Sequence, residues 1–406
     1  MKILSFLGPS NYSETTYKYR DTTVLTRFFA EALPKFFPET EKILVFVTPT
    51  VREHQNLREL KKRLGDLLEP VDIPESHTED ALWHIFDALV GHVNNGERVI
   101  FDITNSFRSL PFLVFIAAAF LRSVREVKVE AVVYGAFEAR DQQTNISPVF
   151  DLSPFVSLFD WLAAANQFIY TGNARYLASQ LAKTGQEPLY PLADNVTAIA
   201  QGLELLRPRD VAEASLLLPG NLKTINTHLP KPFSVVVQSV EKAYVTFGVA
   251  SDAPREHLVS QLRMVNWYFQ NQHYVHTLAM AREWVVSLLC MEFQLDMWDK
   301  DARAEMEFLL NNGGIRKNTA TGEVERESLY RQKWLEHPHR KRIARLWQGK
   351  EPGKEGKDLK LANLRNDVLH TGFRKNPKPA AEIIDQAERI VNELNEIALL
   401  WELVMA

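Results

Sequence analysis

Residues 97 to 121 read ERVIFDITNSFRSLPFLVFIAAAFL. Val99, Ile100 and Phe101 form a short β-rich run that is apolar throughout, as expected of a strand covered on both faces. Small hydroxyl and amide residues follow, and then an apolar run too long for another strand. Strand, polar turn and helix thus succeed one another within 25 residues. The same grammar surrounds this stretch. KILSFLG, EKILVFVTP and VKVEAVVYGAF read as further buried strands, with helical patterns at about 21–36, 51–66, 78–94 and 107–123. Such alternation implies an α/β Rossmann-like domain over residues 1–155, a parallel sheet with helices on both faces. SPVFDLSP reads as one further edge strand. The run from Phe112 to Leu121 is bracketed by Arg108 and Arg122. It falls short of the roughly 20 apolar residues that a membrane span requires, so a buried helix is expected.

From Leu158 onward the strands nearly vanish. FDWLAAANQFIYTGNARYLASQLAKT, NVTAIAQGLELL and HLVSQLRMVNWYFQNQHYVHTLAMAREWVVSLLCMEFQL are helical patterns, so residues 156–406 form an all-α domain. A segment near 312–360, rich in Gly, Lys, Arg and Glu, reads as a loop-rich insertion.

Composition excludes several classes. With 46% hydrophobic and 24% charged residues and a formal net charge of -4, nothing global announces nucleic acid. One cysteine, Cys290, gives no disulfide framework and no cysteine metal cluster, so a reducing, cytoplasmic setting is expected. The apolar run in MKILSFLGPSNY is too short for a signal-peptide core. His273 and His276 lie three apart near Glu283. They sit among aromatic and aliphatic residues and read as helix packing, so no metal site is expected.

In an open parallel sheet, ligands settle beyond the carboxyl ends of the strands. Those ends are polar here. The first strand runs into Gly8, Pro9, Ser10, Asn11 and Tyr12; the second ends at Thr48, Pro49 and Thr50; another leads into Thr104, Asn105, Ser106, Phe107 and Arg108. Hydroxyls and amides at a helix start accompany backbone N–H groups that favour an anion, and Arg108 is suited to a phosphate. Asn105 or Ser106 equally serves as a plain N-cap. No GxGxxG and no P-loop is present, so the cleft is not that of a nicotinamide or P-loop enzyme.

LRNDVLHTGF, residues 364–373, holds the reactive cluster of the helical half. Leu361, Leu364 and Leu369 are placed to face a core, and Gly372 to stop the helix. Asn366 and His370 are four apart and share a face, with Arg365 beside them. A histidine can exchange the proton of a ribose hydroxyl, and an arginine can neutralise the charge on a pentavalent phosphate. The bland reading is a C-terminal histidine cap with a surface ion pair. HPHRKRIARLW, residues 337–347, either guides RNA or is a solvated helix face, and Arg374 and Lys375 are similarly placed to touch phosphates.

MKILSFLGPSNY followed by TTYKY, DITNSFRSLPF, VVYGAFEA with PVFDLSPF, FDWLAAANQF and finally RNDVLH resemble, as an ordered set, the CARF–HEPN ribonucleases of type III CRISPR systems. The resemblance implies a CARF homodimer that binds cyclic oligoadenylate, most often the tetramer, at its strand ends. It also implies a HEPN dimer that cuts single-stranded RNA without metal and leaves a 2′,3′-cyclic phosphate. Arg365 and His370 then form the Arg-x4-His pair, supported by Asn366. Gly8, Ser10, Asn11, Thr48, Thr50, Thr104, Asn105, Ser106, Phe107 and Arg108 supply the ligand set. Ser106 stands where many CARF domains have glycine. The alternative is a nucleotide-sensing regulator whose helical domain binds a partner and cuts nothing.

Overall fold

The computed structural model describes residues 1–76, 78–105, 110–223, 225–228, 231–349, 360–370, 373 and 377–403. Ser106, Phe107, Arg108, Gly372, Arg374 and Lys375 lie outside them. The chain divides into two units, Met1–Asp160 and Trp161–Ala406.

The first unit contains strands β1 (Lys2–Phe6), β2 (Thr15–Tyr19), β3 (Thr22–Thr26), β4 (Lys42–Val47), β5 (Leu68–Asp72), β6 (Arg98–Asp102), β7 (Lys128–Gly135) and β8 (Ile146–Asp151). Its helices are α1 (Phe29–Phe36), α2 (Pro49–Arg52), α3 (Gln55–Leu64), α4 (Glu79–Gly91) and α5 (Leu110–Arg125). The sheet order is β3-β2-β8-β7-β6-β1-β4-β5. The segment β5-β4-β1-β6-β7 is parallel throughout. β8 runs antiparallel to β7 and parallel to β2, and β2 pairs antiparallel with β3. Successive strands are added on opposite sides of β1, which makes the β1/β6 boundary the topological switch point.

Alternation along β1 explains the two-sided core. Ile3 and Leu7 point into one apolar cluster with Phe28, Phe29, Leu33, Leu57 and Leu60 from α1, α3 and their approaches. Leu4 and Phe6 point into the other, with Ile85, Leu89, Val114 and Leu121 from α4 and α5. Ser5 lies on the first face yet is fully buried and polar.

Three expectations for this unit are corrected. Residues 22–26 are a strand, because TTYKY and TTVLT alternate and pair around Arg20 and Asp21. The helix expected from residue 21 therefore begins only at Phe29. β8 is not an edge strand, since β2 covers its outer side. α5 is buried on one face only: Val114, Ala117 and Leu121 meet the sheet, whereas Phe112, Ile116, Phe120 and Val124 form an exposed stripe at four-residue spacing.

α6 (Ser153–Thr171) carries the chain into the second unit. There follow α7 (Arg175–Lys183), α8 (Tyr190–Glu204), α9 (Pro208–Lys223), α10 (Ile225–His228), α11 (Lys231–Tyr244), α12 (Pro254–Gln270), α13 (Tyr274–Glu292) and α14 (Lys300–Asn312). The hairpin β9 (Ile315–Lys317) and β10 (Val324–Glu327) precedes α15 (Arg331–Glu336), α16 (Arg340–Gln348), α17 (Leu361–Leu369) and α18 (Ala380–Leu400). α13 is the centre of the unit, packed by α12, α14, α17 and α18. Trp284 on it is fully buried and donates its indole N–H to Leu258 O at 2.9 Å.

The expected loop-rich insertion is largely ordered structure up to Gly349. In RKRIARLWQ, Ile343, Leu346 and Trp347 fall at helical spacing and are buried, and the surrounding charge masks that pattern in the sequence. Trp347 is therefore a core residue, its indole bonded to Asn311 Oδ1 at 2.7 Å, and it is closed to RNA.

Candidate functional site

Two polar sites stand out, one in each unit. In the first, the switch point brings the ends of β1, β6 and β7 together through hydrogen bonds. Asp102 is fully buried at the end of β6 and accepts from Ser5 Oγ at 2.6 Å and from the Thr104 N–H at 2.9 Å. Thr104 Oγ1 accepts the Gly135 N–H at 2.8 Å, which ties β7 to the same knot. Burial pushes the Asp102 carboxyl up to about 6, against the downward pull of its bonds to Ser5 and Thr104. Gly135 cannot carry a side chain, because a Cβ there would come within 2.5 Å of the Phe29 ring.

The loop after β1 is framed in the same way. The Gly8 N–H donates to the Tyr12 hydroxyl at 2.8 Å, and the Asn56 amide donates to Gly8 O at 3.1 Å and Ser10 O at 2.9 Å. A Cβ on Gly8 would stand 3.9 Å from Asn105 O, so the β1 and β6 loops are neighbours. Ser10 and Asn11 are exposed, and Asn105 is half-buried. Thr48 is buried as the cap of α2, its Oγ1 3.5 Å from the Val51 N–H. Thr50 is exposed and donates to Glu75 at 2.7 Å. Asn56 had no local signal in the sequence. It sits 48 residues from the glycine it supports.

The second site surrounds α17. Leu361 and Leu364 are buried against neighbouring helices, and Asp367 is buried with them. Leu369 is 41% exposed, contrary to the core role expected of it, because Asp367 takes the buried position of that turn and Val368 is half-buried beside it. His370 is the exposed C-cap, and its N–H donates to Asn366 O at 2.9 Å. Arg365 turns into a cavity of about 310 Å³ that is also lined by Arg207, Gln261, Glu283, Trp298 and Arg303. His370 is not part of that lining.

The cations of this cavity differ in how far they are committed. Arg303 donates to Ser287 Oγ at 2.9 Å, Met297 O at 2.8 Å and Glu283 Oε2 at 2.6 Å. Arg282 bridges Glu283 at 2.5 Å and Glu307 at 2.8 Å. Burial alone would raise the Glu283 carboxyl, but Arg282 and Arg303 outweigh it and hold it below the usual range. Arg365 makes a 3.2 Å bond to Asn366 Oδ1, and its Nε is buried with no acceptor among the described residues. A buried donor without a partner costs about 1–3 kcal/mol, a cost that a bound anion removes. Near the end of α12, His273 and His276 stack on Trp267 and Tyr268 with ring centroids 5.6 and 5.3 Å apart. Among the described residues, no helix is long and apolar enough to cross a membrane.

Residues 2–138 match the family model of the CARF domain of the CRISPR system endoribonuclease Csx1. Residues 157–249 match the second domain of the CRISPR-associated protein MJ1674. The first unit is thus a CARF domain, followed by a region that is helical apart from the β9–β10 hairpin. The chain is similar to CRISPR-associated proteins over both matched regions, and it is the first of these that matches the Csx1 model. It is 23% identical to MJ1674 of Methanocaldococcus jannaschii over 295 residues, which is 72% of this chain and 44% of that protein. The matched region therefore spans less than half of the relative's length. Enterococcus italicus Csm6 bound to cyclic hexa-2′-fluoro-hexa-dAMP aligns with a TM-score of 0.45 at 9% identity, covering 100% of this chain and 95% of that one.

Proposed function

We propose that this chain is a metal-independent endoribonuclease of type III CRISPR antiviral defence, switched on by a cyclic oligoadenylate. Residues 1–155 are the sensor and 156–406 a HEPN nuclease domain. The ring, with tetra-adenylate the first choice, lies over the switch point against Gly8, Ser10, Asn11, Thr48, Thr50, Thr104 and Asn105, with Ser106, Phe107 and Arg108 completing the contact. Polar strand ends at that boundary, and the CARF match over residues 2–138, support this placement.

One observation carries the catalytic reading: Arg365 leaves a buried donor unmatched on the same short helix that ends in exposed His370. His370 takes the proton of a ribose 2′-hydroxyl, the freed oxygen attacks the adjacent phosphorus, and the 5′-oxygen leaves with a proton. The products are a 2′,3′-cyclic phosphate and a 5′-hydroxyl. Arg365 neutralises the pentavalent phosphate, and Asn366 holds Arg365. Arg365 faces the cavity while His370 does not, which favours a composite site shared with a second copy. The outward stripe of α5 offers an apolar surface for such pairing. Activation is linkage, since the ring drives only as far as its affinities for the two dimer states differ.

The test supplies cyclic tri-, tetra- and hexa-adenylate in turn with one single-stranded RNA, in EDTA. Ring-dependent cutting with cyclic phosphate ends is expected. Ring binding without RNA turnover under every ring would replace this reading with that of a partner-binding regulator.

A further inference from the structure

We propose that Trp298 is a base-stacking platform, and that the cavity beside Arg365 receives one nucleobase of the RNA next to the phosphate that is cut. The inference rests on the cleavage reading above and adds the part of the substrate that the site reads. Trp298 is 41% exposed and lines the same cavity as Arg365. It does not hang loosely. Its backbone N–H donates to Asp296 Oδ1 at 2.8 Å, and Asp299 caps the following helix through the Ala302 N–H at 2.8 Å. His257 stands against the indole with centroids 5.4 Å apart and planes at 89°. The ring is therefore positioned without being covered.

The remaining lining fits a nucleotide. A volume of about 310 Å³ lies at the small end of ligand pockets, which suits a single base better than a stretch of strand. Trp298 and Met280 give it apolar walls, and the Gln261 side-chain amide, whose Nε2 is 3.9 Å from Met297 Sδ, offers a donor and an acceptor for a base edge. Arg207 and Arg365 bring positive charge to the cavity, with Arg207 Nη1 2.9 Å from Leu205 O. Every base has a π face, so stacking supplies affinity while the amide supplies preference.

The test separates binding from cutting. RNA affinity is read by anisotropy on His370→Ala protein with a labelled single-stranded 10-mer, with and without Trp298→Ala or Trp298→Phe. Trp298→Ala should weaken binding about tenfold to a hundredfold, and Trp298→Phe should restore most of it. In otherwise wild-type protein, Trp298→Ala should raise KM at least tenfold more than it lowers kcat and should flatten the distribution of cut sites. An abasic nucleotide beside the cut phosphate should penalise wild type and leave Trp298→Ala no worse. Unchanged affinity and unchanged cut sites in Trp298→Ala would overturn the platform, as would an abasic penalty equal in both proteins. Cutting by His370→Ala at the wild-type rate would instead sink the cleavage reading, and the anisotropy result would still decide whether Trp298 binds a base.

Discussion

The two polar sites of this chain are built in opposite ways. At the CARF switch point the described residues that frame the strand ends are bonded to one another: Asp102 with Ser5 and Thr104, Thr104 with Gly135, Gly8 with Tyr12 and Asn56. Around α17, Arg303 and Arg282 are committed to Glu283, whereas Arg365 keeps a donor in reserve and His370 stands exposed. A frame held by its own hydrogen bonds suits recognition, because little must be ordered when a ligand arrives. A site with unmatched groups suits chemistry that begins only when substrate and a second copy complete it. The contrast agrees with the proposed division, sensing in one unit and reaction in the other.

The largest effect expected from this contrast is on the reactive side. Arg365→Ala and His370→Ala should each lower RNA cutting by about 10²- to 10⁴-fold with ring affinity unchanged and no fall in melting temperature. Gel-based single-turnover rates and a ring-binding titration check this. Cutting at wild-type rate in either variant would break the division of labour.

The next effect belongs to the frame. Asp102 keeps its proton up to about pH 6 in the folded chain, against an ordinary value of 3.8. Between those values the folded state holds the extra proton, so the wild type loses stability as pH rises from 4 to 6. The loss is about 3 kcal/mol. Asp102→Asn carries no charge to bury and should lack that slope. Urea unfolding of both proteins from pH 4 to pH 7 reads the difference, and parallel curves would show that Asp102 is not the buried charge taken here.

Legibility in the sequence follows the same division. β1, β4, β6 and β7 announce themselves as apolar runs because helices cover both of their faces. The β2–β3 hairpin stays hidden because its two-residue turn is Arg20–Asp21, with Arg20 at φ 55°, where Asn-Gly would have been the signal. β5 hides behind Pro70, which an edge strand tolerates. RNDVLH is visible because its candidate residues fall within six positions. Arg207, Gln261, Trp298 and Asn56 are not, since each reaches its site from a distant segment with nothing local to mark it.

Asn56 sharpens the frame more gently. It is 3% exposed and supports two carbonyls of the loop after β1, so Asn56→Ala should cost about 1–3 kcal/mol and weaken ring binding while leaving RNA affinity intact. Isothermal titration with cyclic tetra-adenylate beside RNA anisotropy reads both arms. Equal weakening of the two would mean that the units do not divide their tasks.

The smallest effect tests whether the reactive side is open at all. On α17, Leu364 is 1% exposed and Leu369 41% exposed, five residues apart on one short helix. Leu364→Ala should therefore cost about 2–5 kcal/mol by opening a core cavity, and Leu369→Ser no more than about 0.5 kcal/mol. The comparison is read by chemical denaturation at a protein concentration low enough to keep chains apart. If Leu369→Ser costs as much as Leu364→Ala there, the end of α17 is covered within a single chain, and His370 beside it is not free to reach a second copy. If instead the cost emerges only as concentration rises, Leu369 lies under the partner, and the open face of the helix is where the composite site closes.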